Sequence, residues 1–248
     1  MLIIISKYYG SFFILFIYVT LIKFFNKVIF IENFIMHKTV KNLIYIEELI
    51  KSKLNHDKLP IIIAVSKTFP IESILPLLER GHLHYGENKV QEALEKWSDI
   101  KPKYNEVKLH LIGKLQTNKV KFALKIFDYI HSLDSEKLAT KISEEQTKQE
   151  KKPKLFIQVN IGNEEQKSGI NKEQLVDFYK FCKKLDLNII GTMCIPPNNG
   201  NVKNYFSEMN KINQELDFKE LSMGMSEDYL EAIKDNATYV RVGSKIFG

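Results

Sequence analysis

Lys67 follows an unbroken apolar run, residues 61–65, with only Ser66 between them. Such a run is typical of a strand that is buried on both faces of a parallel sheet. We expect an ammonium group at the carboxyl end of this strand to be partly desolvated, which lowers the pKa of the lysine and makes its amine reactive toward a carbonyl compound. The alternative is a solvated lysine that opens a loop. Lys67 is therefore a candidate nucleophile.

Two segments near the end of the sequence offer groups that bind phosphate. Residues 224–226 (Gly-Met-Ser) and 242–244 (Val-Gly-Ser) each combine backbone N–H groups with a hydroxyl. They follow the seventh and eighth predicted strands, where α/β barrels bind phosphate. Ser226 is also predicted to cap a helix that runs to about Asn236. Arg241 alternates with valines in the eighth strand, so its side chain is predicted to point away from theirs.

A lysine, a phosphate site and an arginine at one end of a barrel match three parts of pyridoxal 5'-phosphate (PLP). Lys67 would bind the aldehyde, the two glycine-serine segments the phosphate, and Arg241 the ring nitrogen. Because arginine donates hydrogen bonds and stays charged, it would leave that nitrogen unprotonated. A ring in this state is a poor electron sink, which disfavours transaminase-like carbanion chemistry and fits a racemase or a purely binding role.

Eight apolar strand patterns, separated by helical patterns, position these residues. An additional amphipathic helix over residues 37–54 precedes the first strand, since apolar side chains recur there at helical spacing. The predicted strands are residues 61–65, 82–86, 107–112, 128–133, 155–161, 188–195, 220–225 and 238–242. Their number and short connections predict an α/β fold, a single closed (β/α)8 TIM barrel. An open doubly wound sheet is the alternative, but no glycine-rich dinucleotide loop or Walker loop follows the first strand.

The composition agrees with one large core, since the 248 residues are 44% hydrophobic. The net charge of +6 is spread among acidic residues, which indicates solvated helix faces rather than a nucleic-acid-binding patch. Cys182 and Cys194 lack the spacing of a metal or redox site, and two thiols cannot form a disulfide framework. We therefore expect a cytoplasmic protein that binds neither nucleic acid nor a metal.

Residues 1–35 differ from the rest of the sequence in their bias toward isoleucine and phenylalanine. Residues 12–22 form a continuous apolar run, shorter than the roughly 20 residues that a spanning helix needs. No small-residue cleavage site of a signal peptide follows. Three interpretations stay open: an uncleaved membrane anchor, a targeting segment, and an artefactual upstream extension with the true start at Met36. The predicted domains are a hydrophobic extension, residues 1–35, and a PLP-binding barrel, residues 36–248.

Five segments resemble the signature segments of the pyridoxal phosphate homeostasis protein family. They occur in the family's order and extend over nearly all of the sequence from Met36 to Gly248, which makes the resemblance specific. Leu109 departs from the family, which usually has an aromatic residue before the histidine, and we expect no functional effect. The segments are Ala64-Val65-Ser66-Lys67-Thr68, Tyr85-Gly86-Glu87-Asn88, His110 to Lys119, Leu221 to Ser226 and Val240 to Ser244.

The resemblance implies a barrel like the N-terminal domain of alanine racemase, with PLP held as an internal aldimine. The lysine would bind the aldehyde, the serines and glycine the phosphate, the arginine the ring nitrogen, and the asparagine would line the other side of the cofactor. The residues implied to bind PLP are Lys67, Asn88, Ser226, Arg241, Gly243 and Ser244. A role in satisfying loop backbone is the alternative for Asn88, Gln116 and Asn118. His110 is interpreted as a hydrogen-bonded core histidine.

Alanine racemases take a second base from an additional C-terminal β-domain of the partner subunit, whereas this sequence ends shortly after strand eight. We therefore expect a protein of vitamin B6 homeostasis that holds, buffers or delivers PLP, with no catalytic residues and no substrate turnover. Apo forms of PLP-dependent enzymes are the expected partners, and the absent β-domain predicts a monomer. A membrane contact is expected only if residues 1–35 are a real anchor. The alternatives are a PLP-dependent amino-acid racemase, which would need a tyrosine or cysteine in the barrel mouth, and a barrel that binds another phosphorylated metabolite.

Overall fold

The computed structural model describes residues 36–54, 59–164 and 166–248. The predicted hydrophobic extension, residues 1–35, lies outside these ranges. Within them, no helix combines the length and the apolar character needed to cross a bilayer. The described residues fold around one closed sheet.

Eight parallel strands form the sheet in sequence order, and β8 pairs with β1 to close it. The strands are β1 Ile61–Val65, β2 His84–Glu87, β3 Lys108–Leu111, β4 Tyr129–Leu133, β5 Lys154–Val159, β6 Ile189–Cys194, β7 Glu220–Met225 and β8 Tyr239–Val242. The predicted TIM barrel is therefore confirmed. Most predicted strand boundaries agree within two residues, because turn residues flank each apolar run.

Helices cover the outside of the barrel. They are α1 Lys38–Lys53, α2 Ile71–Glu79, α3 Val90–Trp97, α4 Val120–Ile126, α5 Glu136–Gln149, α6 Leu175–Lys184, α7 Val202–Glu215, α8 Tyr229–Lys234 and α9 Ser244–Phe247. The first of these is the predicted additional helix. Asn42 Nδ2 donates to the carbonyl of Ile246 at 2.9 Å, which ties α1 to α9.

The alternation of side chains along β1 explains why this strand is buried on both faces. Ile63 and Val65 pack inside the barrel, whereas Ile62 and Ala64 belong to the larger core between the barrel and its helices. The apolar interior is small. Its other buried members are Tyr129, Phe156, Met193 and Tyr239.

The prediction that Ser226 caps the helix after β7 is wrong. Asp228 occupies the N-cap position of α8, and its Oδ1 accepts the N–H of Met225 at 2.6 Å. Ser226 Oγ instead accepts the N–H of Gly243 at 3.2 Å. The hydroxyl therefore joins the loops after β7 and β8 rather than starting a helix.

Candidate functional site

The carboxyl ends of the strands surround a cavity of about 670 Å³. Small-molecule sites usually measure about 300–1,000 Å³. Parallel strands of a barrel present their carboxyl ends on one face, so residues distant in the sequence meet there. The cavity brings together all six residues that the sequence analysis singled out, Lys67, Asn88, Ser226, Arg241, Gly243 and Ser244.

Lys67 lies two residues beyond β1, and it is exposed at the mouth of the cavity. The prediction that this side chain is partly desolvated is therefore wrong, because Lys67 is exposed. Thr68 has a φ of +64°, in the left-handed region that threonine rarely adopts. Its N–H donates to Glu92 Oε1 at 2.7 Å. This bond holds the turn that follows Lys67.

Glu87 ends β2, but it is buried and does not line the cavity. Its Oε1 accepts hydrogen bonds from Ser66 Oγ at 2.8 Å, from Lys96 Nζ at 3.0 Å and from Trp97 Nε1 at 3.0 Å. Lys96 Nζ also donates to the Ser66 carbonyl at 2.8 Å. These four residues, the Glu87 cluster, hold the end of β1 from behind. They thereby set where Lys67 enters the cavity.

Asn88 lines the cavity beside the loop that follows β3. A Cβ atom at Gly113 would lie 2.3 Å from the carbonyl oxygen of Asn88. Only glycine therefore permits the two loops to approach this closely. The close approach fixes the backbone of Asn88 at the cavity wall.

The loops after β7 and β8 form the side of the cavity predicted to bind phosphate. The bond between Gly243 N–H and Ser226 Oγ joins them. Gly224, near the end of β7, has a φ of +86°, and a Cβ there would lie 2.5 Å from the Cβ of Ala232, so this strand end packs tightly against α8. Ser244, the first residue of α9, adds a second hydroxyl to this wall.

Arg241 points into the barrel, as its alternation with valines predicted, while Val240 and Val242 pack against the helices. Its Nη1 donates to Ser222 Oγ at 2.7 Å, and its Nη2 donates to the Cys194 carbonyl at 2.9 Å. Burial lowers the pKa of the guanidinium from its ordinary value. A guanidinium has five N–H donors, so donors beyond these two are left for a ligand in the cavity.

Two further lysines, Lys114 and Lys167, line the cavity, and sequence reasoning missed both as site residues. For Lys114, the sequence signal that could have identified it as a site residue was its position just after β3 and Gly113. Lys167 forms an ion pair with Glu164 at 2.5 Å. Asn160 also lines the cavity, and its side-chain amide bonds to the backbone of Glu164 in both directions, at 2.9 and 3.2 Å.

Other candidate residues lie elsewhere. Gln116 and Asn118 do not line the cavity, and His110 is a buried, hydrogen-bonded core histidine, as expected. Cys182 and Cys194 are buried, and burial raises the pKa of each thiol to about 12. Neither is therefore a reactive thiolate. In the part of the chain that the structure describes, no group of histidine, cysteine and acidic side chains could hold a metal ion.

Residues 48–248 match the family model described as the alanine racemase N-terminal domain. Curated relatives are similar over most of their length. The pyridoxal phosphate homeostasis protein of Aquifex aeolicus is 38% identical over 197 residues, which cover 75% of this chain and 86% of the relative. The protein of the same name from Haemophilus influenzae is 36% identical over 200 residues, covering 75% of this chain and 84% of the relative.

The chain is also similar to solved structures. PipY of Synechococcus elongatus with PLP bound is 31% identical and superposes with a TM-score of 0.75, covering 85% of this chain and 100% of PipY. An alanine racemase from Clostridium difficile superposes with a TM-score of 0.68 but is 15% identical, covering 85% of this chain and 56% of the racemase. The racemase therefore shares the fold alone.

Proposed function

Because this chain belongs to the family of pyridoxal phosphate homeostasis proteins, we propose that it binds PLP through Lys67 and maintains the intracellular PLP supply without turning over a substrate. One observation carries the proposal. A single cavity holds a primary amine, two loops that offer hydroxyl and N–H groups, and a buried guanidinium. The proposed PLP-binding domain is the barrel over residues 36–248.

The residues of the cavity fit the functional groups of PLP. When bound, PLP supplies an aldehyde that reacts reversibly with amines, together with a phosphate and a pyridine nitrogen. Lys67 provides the amine at the open side. The loops after β7 and β8 provide hydroxyl and N–H donors for the phosphate, through Ser226, Gly243 and Ser244. Arg241 provides a donor for the ring nitrogen, and Asn88 lines the β2 side.

Arg241 donates and does not accept, so it would hold the pyridine nitrogen unprotonated and weaken the ring as an electron sink. This disfavours transaminase-like chemistry and fits a carrier and a racemase equally, so the choice between these two rests on a second base. The racemase alternative requires a tyrosine or cysteine in the barrel mouth as its second base, and the cavity lining given by the described residues includes neither. Cys194 contributes its backbone carbonyl to Arg241, while its thiol is buried.

The exposure of Lys67 supports release of PLP as well as its capture, because a second amine can reach the aldehyde carbon of PLP from solvent. We therefore propose apo forms of PLP-dependent enzymes as the recipients of the cofactor. The buried, unpaired thiols are consistent with a reducing compartment, and the cytoplasm is the proposed location. Activation of an apo-enzyme by the loaded protein, compared with an equal concentration of free PLP, tests delivery.

The three lysines of the cavity make the binding test specific. Purified protein is incubated with PLP, its absorbance spectrum is recorded, and the complex is reduced with borohydride before peptide mass spectrometry. We expect a visible absorbance band and a reduced phosphopyridoxyl adduct on Lys67. Lys67→Ala should lose both, whereas Lys114→Ala and Lys167→Ala serve as matched controls and should retain them.

An adduct on Lys114 or Lys167, or a coloured Lys67→Ala variant, would overturn the assignment of the binding lysine. A colourless wild-type protein would instead favour a barrel that binds another phosphorylated metabolite. Incubation of the loaded protein with single-enantiomer amino acids, followed by chiral chromatography, separates carrier from racemase. A carrier leaves every enantiomer unchanged.

A further inference from the structure

A line of polar side chains crosses the apolar barrel interior and ends at Arg241. His84 Nδ1 lies 2.9 Å from His110 Nε2, and His110 Nδ1 lies 2.9 Å from His131 Nε2. His131 Nδ1 lies 2.9 Å from Ser222 Oγ, which accepts the bond from Arg241 Nη1. The three histidines and Ser222 are called the histidine chain. Its members come from β2, β3, β4 and β7.

The chain is enclosed by the barrel. His110, His131 and Ser222 are fully buried, whereas His84 is partly buried and lines a recess at the amino end of β2, away from the PLP cavity. The His110 ring stacks on Tyr129 with centroids 4.2 Å apart, and the His131 ring stacks on Phe156 at 4.3 Å. These contacts hold the two rings in place between their neighbours.

Arg241 sets the direction of every bond in the chain. A guanidinium only donates, so Ser222 Oγ must accept from it. The hydroxyl hydrogen of Ser222 then goes to His131 Nδ1, since the opposite arrangement would leave a buried O–H without a partner. A neutral imidazole has one donor and one acceptor nitrogen. His131, His110 and His84 are therefore all Nε2–H tautomers, and each N–H points away from Arg241.

This direction bears on the charge of Arg241. Its guanidinium is buried, and its two described hydrogen bonds are to neutral groups, Ser222 Oγ and the Cys194 carbonyl. In the chain, each imidazole turns its acceptor nitrogen toward Arg241 and its donor away. The side-chain dipoles therefore add, with their negative ends toward the positive charge.

We propose that the histidine chain positions Arg241 for the ring nitrogen of PLP and stabilises its buried charge. Ser222, His131, His110 and His84 are thus positioning residues that act through Arg241. The identity of the ligand rests on the proposed function. The direction of the chain is a property of the protein alone and is tested without PLP.

The first experiment measures histidine tautomers by 15N NMR on PLP-free protein at neutral pH. We expect Nε2–H signatures for all three histidines of the chain. In Arg241→Met, water from the cavity that Arg241 lines can take the place of the guanidinium and accept the Ser222 O–H. Ser222 Oγ can then accept from His131, so the rings should shift toward the Nδ1–H tautomer as far as His84, which does not touch Arg241. Thr192→Val is the control, because it removes a buried hydroxyl that bonds to Asn213 outside the chain. It should leave the tautomers unchanged.

An Nδ1–H tautomer of His131 in the wild-type protein would overturn the proposal. Unchanged His84 and His110 signals in folded Arg241→Met would do the same. Should that variant fail to fold, Ser222→Ala is a smaller change that interrupts the chain at the same point. It should likewise disturb the His131 and His110 signals, and wild-type signals would count against the proposal.

The second experiment follows 15N-labelled PLP on the protein. Ser222→Ala should weaken PLP binding about tenfold, the effect of one lost hydrogen bond to a charged group, and should move the ring-nitrogen signal. Ser222→Thr restores the hydroxyl and should restore both readouts, while Thr192→Val changes neither. Wild-type affinity and ring signal in Ser222→Ala would overturn the positioning role. Failure of wild-type protein to bind PLP would overturn the proposed function instead, and the tautomer experiment would still decide the direction of the chain.

Discussion

Two buried polar networks support neighbouring parts of the cavity wall, at the paired strands β1 and β8, and they differ in charge. Behind Lys67, the Glu87 cluster contains an ion pair, with Lys96 Nζ 3.0 Å from Glu87 Oε1. Behind Arg241, the histidine chain is built of neutral groups. Lys67 is exposed, and the ion pair does not contact its side chain. Instead, Lys96 Nζ donates to the carbonyl of the neighbouring Ser66 and thereby fixes the end of β1. The buried arginine must keep both its charge and its orientation, so its partners bond to the guanidinium itself.

Low pH should destabilise the folded protein through the histidine chain, and this is the largest effect that we expect. Burial lowers the pKa of His110 and His131 well below the ordinary value of 6.5 and lowers that of His84 to about 4. Below pH 6.5 the unfolded chain therefore binds protons that the folded protein does not, and the free energy of unfolding falls. The stability present above pH 6.5 is lost progressively, by about 1.4 kcal/mol per pH unit for each histidine, and for His84 the loss ends near pH 4.

Urea unfolding between pH 7.5 and 5 measures this loss. His131→Phe removes one of the titrating groups and should flatten the dependence by about one proton. A free energy of unfolding that stays constant from pH 6.5 to 5 would show that the folded protein accepts these protons.

Glu87→Ala tests the charged network. It leaves the largely buried Lys96 with only the more distant carboxylate of Glu92, at 3.6 Å, and removes the acceptor of Ser66 Oγ and Trp97 Nε1. The free energy of unfolding should therefore fall by about 3 kcal/mol. Glu144→Ala is the control, because Glu144 pairs with Lys141 at a similar 3.0 Å on the exposed face of α5. That change should cost less than about 0.5 kcal/mol. Equal losses in the two variants, measured by urea unfolding, would contradict a supporting role for the Glu87 cluster.

Two glycines allow a comparison of how tightly the cavity wall is packed at Asn88 and after β8. In Gly113→Ala the new Cβ would lie 2.3 Å from the backbone of Asn88, so a loop must move, at a cost of about 2 kcal/mol. In Gly243→Ala it would lie 3.3 Å from Val65, which calls for a smaller adjustment and a cost below about 1 kcal/mol. Thermal unfolding of both variants checks the order. The reverse order would mean that the β8 wall is the more tightly packed one.

Ser226→Ala tests the bond between the loops after β7 and β8, and its effect should be small and local. The N–H of Gly243 loses its acceptor, which costs about 1 kcal/mol. Hydrogen exchange at Gly243 should speed up, while the Glu87 cluster keeps its protection. Ser52→Ala, which removes an exposed hydroxyl from α1, is the control and should change neither stability nor exchange. Unaltered exchange at Gly243 would show that the loops after β7 and β8 are joined by other contacts.

Much of the fold could be predicted because its pattern is local. Apolar runs such as β1 are separated by helical spacing and by turn residues, and eight of them leave a closed barrel as the simplest arrangement. The resemblance drawn from five segments is confirmed by the family to which the chain belongs. The six residues could be expected to meet because each stands at the carboxyl end of a strand. Their roles toward PLP stay predictions.

The remaining features depend on three-dimensional relations that the sequence does not contain. Whether Lys67 is covered depends on loops from other strands, and the direction of Glu87 depends on α3 packing behind β1. The histidine chain depends on strand register, which pairs His110 with Gly86 on one side and Tyr129 on the other. The register between β7 and β8 shifts near Ser222. Spacing along the chain could not reveal that Ser222 reaches both His131 and Arg241.

The bond from Arg241 to the Cys194 carbonyl has a consequence for sequence divergence. A carbonyl oxygen is present whichever amino acid occupies position 194, so this attachment survives drift at that site. Position 222 has no such freedom, because its acceptor is a side-chain hydroxyl. Of the two attachments of Arg241, evolution can therefore alter one by a single codon change, while the other is protected by the backbone itself.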